Sequence, residues 1–317
     1  MGNTLRIIYM GTPDFAVEPL RQIINAEIRV VAVITVPDKP AGRGQKLQQS
    51  PVKQFALQNN LPVLQPERLR DENFLAELKS FHADLFIVVA FRMLPEAVWS
   101  MPPKGTINLH ASLLPQYRGA APINRAIIDG ETTTGVTSFF ITHEIDTGNI
   151  LLQDNVTISE KETAGKLHDK LMIAGAKLLV TTIQKLSEGT ITANPQVNTG
   201  KLKPAPKLFK NDCRINWNAD VRQIYNLIRG LHPYPTAWSE MISGKESISV
   251  KIYESETEEQ EHQYLPGTII SDGKIYLKVA CTNGFIHINS LQLAGKKQLP
   301  IQHFLIGFKR INEFSFK

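Results

Sequence analysis

The sequence predicts an α/β chain in which an open, mostly parallel sheet flanked by helices precedes a smaller β-barrel of oligonucleotide-binding (OB-like) type. Three observations predict it. Short apolar runs rich in β-branched residues alternate with helical stripes over the first 190 residues, the pattern of parallel βαβ units. A proline- and lysine-rich stretch without apolar periodicity follows at 191–210. Beyond it, short strand-like runs are separated by turn residues, as in a small barrel. A length of 317 residues agrees with two domains, because single hydrophobic cores stop growing near this size.

Taken in order, residues 5–9 form a short apolar run ahead of Gly11 and read as a buried strand. Residues 17–24 show a helical pattern, and 29–35 (RVVAVIT) a second strand. Residues 51–60 read as helix, and 85–90 (LFIVVA) and 105–109 as two further strands. Ser159 and Glu162 have the spacing of a capping box. Leu167, Leu171, Ala174, Leu178 and Ile183 continue from it as a helical stripe that Gly189 can end. Residues 216–231 carry another stripe through Val221, Ile224, Tyr225 and Ile228. Residues 247–253, 267–270, 275–280 and 284–293 then read as strands. The expected domains are 1–190, a linker at 191–210, and 211–317.

Hydrophobic residues make up 42% and charged residues 21%, which disfavours a disordered chain. No apolar run approaches the length of a membrane span and the start lacks a signal-peptide pattern. Two cysteines, Cys213 and Cys281, make neither a disulfide scaffold nor a zinc site and fit a reducing cytoplasm. The net charge of +5 is uneven: residues 201–317 hold 16 Lys/Arg against 11 Asp/Glu, whereas residues 1–200 hold 19 of each. Five of the 11 acids lie in 254–261 (ESETEEQE), read as a solvated acidic loop. The remaining basicity points to a polyanionic partner.

The chemistry concentrates in 105–123 (GTINLHASLLPQYRGAAPI). Asn108 and His110 are two apart, so on a strand they share a face, and ligands of open α/β sheets bind beyond the carboxyl ends of strands. An amide donor and an imidazole there can serve one reacting atom. Asp146 stands in a turn (EIDTGNI) and becomes functional if it reaches His110; otherwise it is a local cap. Residues 38–53 form a long basic loop with Lys39, Arg43, Lys46 and Lys53, Arg43 lying between Gly42 and Gly44. The first strand ends without a GxGxxG or Walker pattern, so a dinucleotide-dependent oxidoreductase is unsupported. No cluster has metal-ligand spacing.

NLHASLLPQYRGAAPI with the downstream IDTG resembles the folate-dependent formyltransferases. The likeness extends through MGTPDFAV (10–17), DKPAGRG and SPVK in the basic loop, HPYPTAW (232–238) and LQLAGKK (291–297), which point to the branch acting on methionyl-tRNA. The resemblance implies a Rossmann-like catalytic domain, a linker and an OB-like barrel. It implies a cytoplasmic, monomeric, metal-free enzyme that moves a formyl group from 10-formyltetrahydrofolate to the methionine amine of initiator methionyl-tRNA. Asn108, His110 and Asp146 match the catalytic positions, and Ser112, Leu113, Leu114 and Pro115 the segment associated with folate. Arg43 matches a position implicated in reading the tRNA acceptor end. With Lys46, Lys201, Lys203, Lys207 and Lys210 it forms the expected tRNA contact. The chain departs from the family pattern at Phe91-Arg92, where Tyr-Gly is frequent, and at Glu144-Ile145, where Gly-Leu precedes the aspartate. The alternatives are an N-formyltransferase acting on an amino sugar or on glycinamide ribonucleotide, and a non-catalytic RNA-binding protein.

Overall fold

The structure, a computed structural model, describes residues 5–41, 46–197 and 200–317. By packing, the chain divides into two units. The first is Met1–Gly119, Thr133–Thr157 and His168–Pro204; the second is Ala120–Thr132, Ile158–Leu167 and Ala205–Lys317. Of the non-periodic stretch at 191–210, residues through Pro204 therefore pack with the first unit and the rest with the second.

In chain order the elements through the long helix are β1 (Ile7–Gly11), α1 (Val17–Asn25), β2 (Val30–Ile34), β3 (Lys39–Ala41), β4 (Lys46–Gln48), α2 (Pro51–Gln58), β5 (Val63–Leu64), α3 (Glu72–Ser80), β6 (Leu85–Val89), α4 (Glu96–Trp99), β7 (Thr106–His110), α5 (Pro122–Ile128), β8 (Thr133–Phe140), β9 (Ile150–Thr157) and α6 (Ala164–Glu188). The sheet of the first unit has the order β5-β2-β1-β6-β7-β8-β9. Its strands from β5 to β7 are parallel, and β8 and β9 add antiparallel. Every residue of β1 and β6 is buried, the state a continuous apolar strand reaches when helices cover both faces. Ser50 starts α2 by accepting from the Lys53 N–H at 3.1 Å, with Pro51 at the first helical position. Asp71 caps α3 through the Phe74 N–H at 3.0 Å. Gly189 follows α6 with φ +70°, the left-handed turn anticipated there.

Among the elements so far, one expectation changes, and strands β8 and β9 were not anticipated. Ser159 and Glu162 do pair, the Ser159 N–H donating to Oε2 at 2.9 Å, but α6 begins only at Ala164, so the pair closes a turn ahead of the helix. Strands β8 and β9 carry no clean alternation: Thr137 and Ser138 are fully buried with their hydroxyls bonded, so buried positions look polar.

The second unit adds α7 (Val221–Gly230), β10 (Ala237–Ser243), β11 (Glu246–Glu259), β12 (Ile269–Ser271), β13 (Leu277–Cys281), β14 (Gly284–Leu293), β15 (Leu299–Pro300), α8 (Ile301–Gly307) and β16 (Ser315–Phe316). Its antiparallel sheet runs β12-β13-β14-β11-β10-β16, with β15 on β14. A bridge between Thr268 and Ser315 brings its two ends together, and the Phe316 N–H donates to Gly267 O at 2.8 Å. This is the expected small barrel. Val250, Ile252, Val279, Ile286 and Ile288 fill it with alternate inward side chains, and α7 packs its stripe of Val221, Ile224 and Ile228 into the same core. Asp220 caps α7 through the Arg222 N–H at 2.7 Å, so the helix starts later than 216. The acidic stretch is not a loop: residues through Glu259 continue β11 against β14, and Glu258 lies opposite Phe285. Its acids read as a loop because alternate exposed strand positions tolerate charge.

Candidate active site

Strand β7 pairs with β6 and β8, so Asn108 lies between Val88 and Phe139 and His110 lies beside Thr137. Asn108 is half-buried, and among the described residues its side chain has no hydrogen-bond partner. His110 is 6% exposed. Its Nε2 is 2.8 Å from the Tyr117 carbonyl oxygen. A carbonyl only accepts, so this nitrogen carries the hydrogen. The other ring nitrogen, Nδ1, is 3.8 Å from Asp146 Oδ2, within ion-pair reach but beyond a hydrogen bond. The turn aspartate thus reaches the histidine, the condition set for its functional reading.

Two loops hold this pair. Tyr117 and Asp146 both sit at left-handed backbone, φ +59° and +56°. Asp146 Oδ2 accepts from the Gly119 N–H at 2.9 Å. Gly148 is buried so closely under β8 that a Cβ would stand 1.7 Å from the Phe140 carbonyl oxygen, which fixes glycine after the aspartate turn. Gln196 donates from Nε2 to the carbonyls of Asp146 and Gly148, each at 2.8 Å, and accepts at Oε1 from Arg118.

The segment expected to meet folate is tied from below. Ser112 is buried and donates to the Gln116 carbonyl at 2.6 Å. The Thr137 hydroxyl donates to Ser112 O at 2.6 Å and accepts from the Leu114 N–H at 3.1 Å and from Gln153 Nε2 at 2.9 Å. Leu114 is buried, whereas Leu113 and Pro115 are half-buried, so these two retain apolar surface. Across the end of β6, the Arg92 guanidinium turns back onto the carbonyls of Pro66 and Glu67, and burial lowers its pKa. Met93 beside it is 74% exposed. The departure at Arg92 is thus a backbone tie rather than a free charge.

Of the residues expected at tRNA, Arg43 lies outside the described residues, and so does the side chain of Lys46, whose backbone starts β4. Lys201, Lys203, Lys207 and Lys210 are exposed. Lys210 Nζ stands 5.0 Å from the centre of the Trp238 ring, with the Arg214 guanidinium at 5.2 Å from it, and Lys207 Nζ stands 5.7 Å from that of Phe209. The sequence places Tyr117 and Gly119 in the run and loop that follow His110 without showing what they do there, and it gives no sign of Thr137 or Gln196. The first two act through backbone atoms, and the only signal for them was the Pro/Gly loop around them. Among the described residues, no helix is long and apolar enough to cross a membrane.

The model of the formyl transferase family matches residues 5–183 and that of its C-terminal domain residues 207–309, so the chain is a formyl transferase in both parts, and the strand-end cluster lies within the first match. The methionyl-tRNA formyltransferase of Bacteroides thetaiotaomicron is 56% identical over 309 residues, 96% of each chain. That of Parabacteroides distasonis is 55% identical over 98% of each. Among solved structures, HypX from Aquifex aeolicus in complex with tetrahydrofolic acid superposes with a TM-score of 0.64 at 17% identity, over 97% of this chain and 48% of that one. This chain belongs to the methionyl-tRNA formyltransferase family.

Proposed function

We propose that the chain transfers the formyl group of 10-formyltetrahydrofolate to the amino group of methionine on initiator methionyl-tRNA, supplying formylmethionyl-tRNA for translation initiation. The observation that carries this is the Asn108, His110 and Asp146 cluster at the end of β7, in a chain 56% identical to such an enzyme along its length. The residues present fit a folate: half-buried Leu113 and Pro115 and exposed Met93 offer apolar surface to a flat ring system beside the cluster's loops. When bound, the folate supplies an activated formyl group.

The chain's own residues then have separate tasks. Asn108 donates its amide N–H to the formyl oxygen as negative charge develops there. His110 keeps its Nε2 hydrogen on Tyr117 O, which leaves Nδ1 to take the proton released by the attacking amine, directly or through water. Asp146 faces that nitrogen and stabilises the imidazolium. The bond from nitrogen to the formyl carbon forms, the bond to the folate nitrogen breaks, and the stored proton returns to the leaving nitrogen. Arg43, Lys46, Lys201, Lys203, Lys207 and Lys210 would meet the tRNA, the exposed linker lysines along its backbone. Such binding weakens by about 0.7–0.9 log units per tenfold rise in salt for each phosphate neutralised. We assign the enzyme to the cytoplasm as a monomer, which sedimentation would check.

The deciding assay supplies 10-formyltetrahydrofolate with initiator methionyl-tRNA, an amino-sugar nucleotide or glycinamide ribonucleotide. Formylation of the tRNA alone is expected. Transfer to either small amine in preference to tRNA, or no transfer, would refute the reading.

A further inference from the structure

The carboxylate of Asp146 faces His110 only if the 144–148 turn is held in place: the Thr147 hydroxyl ties it to Glu144 O at 3.1 Å, the adjoining Phe140 N–H donates to Asn149 O at 3.0 Å and Asp146 Oδ2 takes the Gly119 N–H, but the carbonyls of the left-handed Asp146 and of Gly148 still require a hold. Gln196, which lies 50 residues downstream of Asp146, supplies that hold. Its Nε2 donates to Asp146 O and Gly148 O, each at 2.8 Å, and its Oε1 accepts from Arg118 Nε at 3.1 Å and Nη2 at 2.6 Å. A primary amide has two N–H groups and two lone pairs, and all four are matched here. Arg118 can only donate, so it fixes Oε1 on its own side and turns both N–H groups toward the aspartate turn. Glutamate at this place would keep the arginine and lose both carbonyl contacts; methionine would lose all four.

The same stretch of chain also supports the histidine. Lys203 O accepts from the Tyr117 N–H at 2.7 Å, and Tyr117 O accepts from His110 Nε2 at 2.8 Å. One aperiodic segment thus braces both members of the pair, His110 through Tyr117 and Asp146 through Gln196.

We propose that Gln196 is a positioning residue for formyl transfer, holding the turn so that Asp146 faces His110 Nδ1, with Arg118 setting the direction of its amide. The proposal rests on the formyl-transfer reading. It is tested with Gln196→Met and Gln196→Glu, each alone and combined with Asp146→Asn, reading kcat, KM for methionyl-tRNA and KM for the folate separately, with a thermal midpoint for every variant. Each single Gln196 variant is expected to lower kcat roughly 10- to 100-fold, the scale of an ångström of misplacement, with both KM values held within about twofold. If the glutamine acts through the aspartate, its replacement costs less than about twofold once Asp146→Asn is present. A full, multiplicative loss on that background overturns the proposal, as does an effect confined to KM. Should Gln196→Met fail to fold, Gln196→Glu carries the test, and normal turnover in it overturns the role. Loss of the fold in both variants makes Gln196 structural and also overturns it. A wild-type protein inactive on methionyl-tRNA refutes the reaction itself; an active wild type with a multiplicative cycle refutes only the role of Gln196.

Discussion

Thr137 offers a measurement of how firmly the segment at 112–115 is held. It is fully buried on β8, and its hydroxyl joins Ser112 O, the Leu114 N–H and Gln153 Nε2. Thr137→Val keeps the shape and removes the oxygen. Gln153 retains Leu114 O at 2.9 Å, but Ser112 O and the Leu114 N–H lose this partner. Each buried polar group left unpaired costs roughly 1–3 kcal/mol, giving about 2–6 kcal/mol for two. Thr137→Ser, the control, keeps the oxygen and deletes one buried methyl, worth about 1 kcal/mol. For a unit of this size each kcal/mol moves the thermal midpoint by about 2–4 °C, so the valine variant should melt roughly 2 °C or more below the serine variant. Because the orphaned groups lie in the segment proposed to meet folate, KM for 10-formyltetrahydrofolate should rise in the valine variant at temperatures where it is folded. Scanning calorimetry and initial rates read the two effects. Equal midpoints for valine and serine would refute the hub, and an unchanged folate KM in a destabilised variant would refute its link to the site.

The cluster itself predicts that Asn108→Ala lowers kcat about 100- to 1000-fold, as loss of an oxyanion donor does. His110→Ala should lower it by about 100- to 10,000-fold. Near-normal turnover in both folded variants would sink the assignment. In the barrel, the Lys278 ammonium 2.7 Å from Oε1 holds the Glu258 carboxyl below the usual carboxylate range, and His287 adds to this. A lowered folded pKa gives stability that is present above the unfolded value, about 4.3, and is lost as pH falls through the folded one. Acid unfolding followed by fluorescence should therefore lose part of its steepness in Glu258→Gln, and an identical profile would contradict the pairing. Burial pushes the Cys281 thiol up to about 11, and it donates to Gly284 O at 3.0 Å. An aromatic disulfide reagent at pH 8 should label it only after unfolding; rapid labelling of the native chain would show the barrel to be open there.

The parallel half of the fold was legible because its strands are apolar on both faces, and residues 85–90 and 105–109 fall within a residue of β6 and β7. Asn108 and His110 were legible for the same reason, since a period of two assigns a face once the strand is known. Strands β8 and β9 were not, because a buried threonine paired with backbone atoms leaves no apolar mark. Strand β11 was cut short at 253 because its outer half alternates acids with small polar residues, while its pairing comes from β14. The contact between His110 and Asp146 depends on two left-handed residues in separate loops, and neither is a glycine. Aspartate is enriched in that conformation, but tyrosine is not, and Tyr117 is put there by tertiary contacts that local propensity does not record.

The described residues of 191–204 show most clearly what periodicity reports. A helical or alternating pattern marks a face buried against other apolar groups. A segment ordered by polar contacts to loops has no such face and reads as a tether. Here Asn194 bridges Ile150 through both backbone groups, and Gln116 spans the chain by donating to Lys201 O and accepting from the Lys203 N–H. The Lys203 carbonyl then takes the Tyr117 N–H. These bonds use the backbone of the lysine-bearing segment and leave its lysines exposed. The basic composition, legible in the sequence, describes the outward side of this segment; the support it gives to His110 and Asp146 is written in main-chain atoms that every residue type possesses, and therefore leaves no trace in composition.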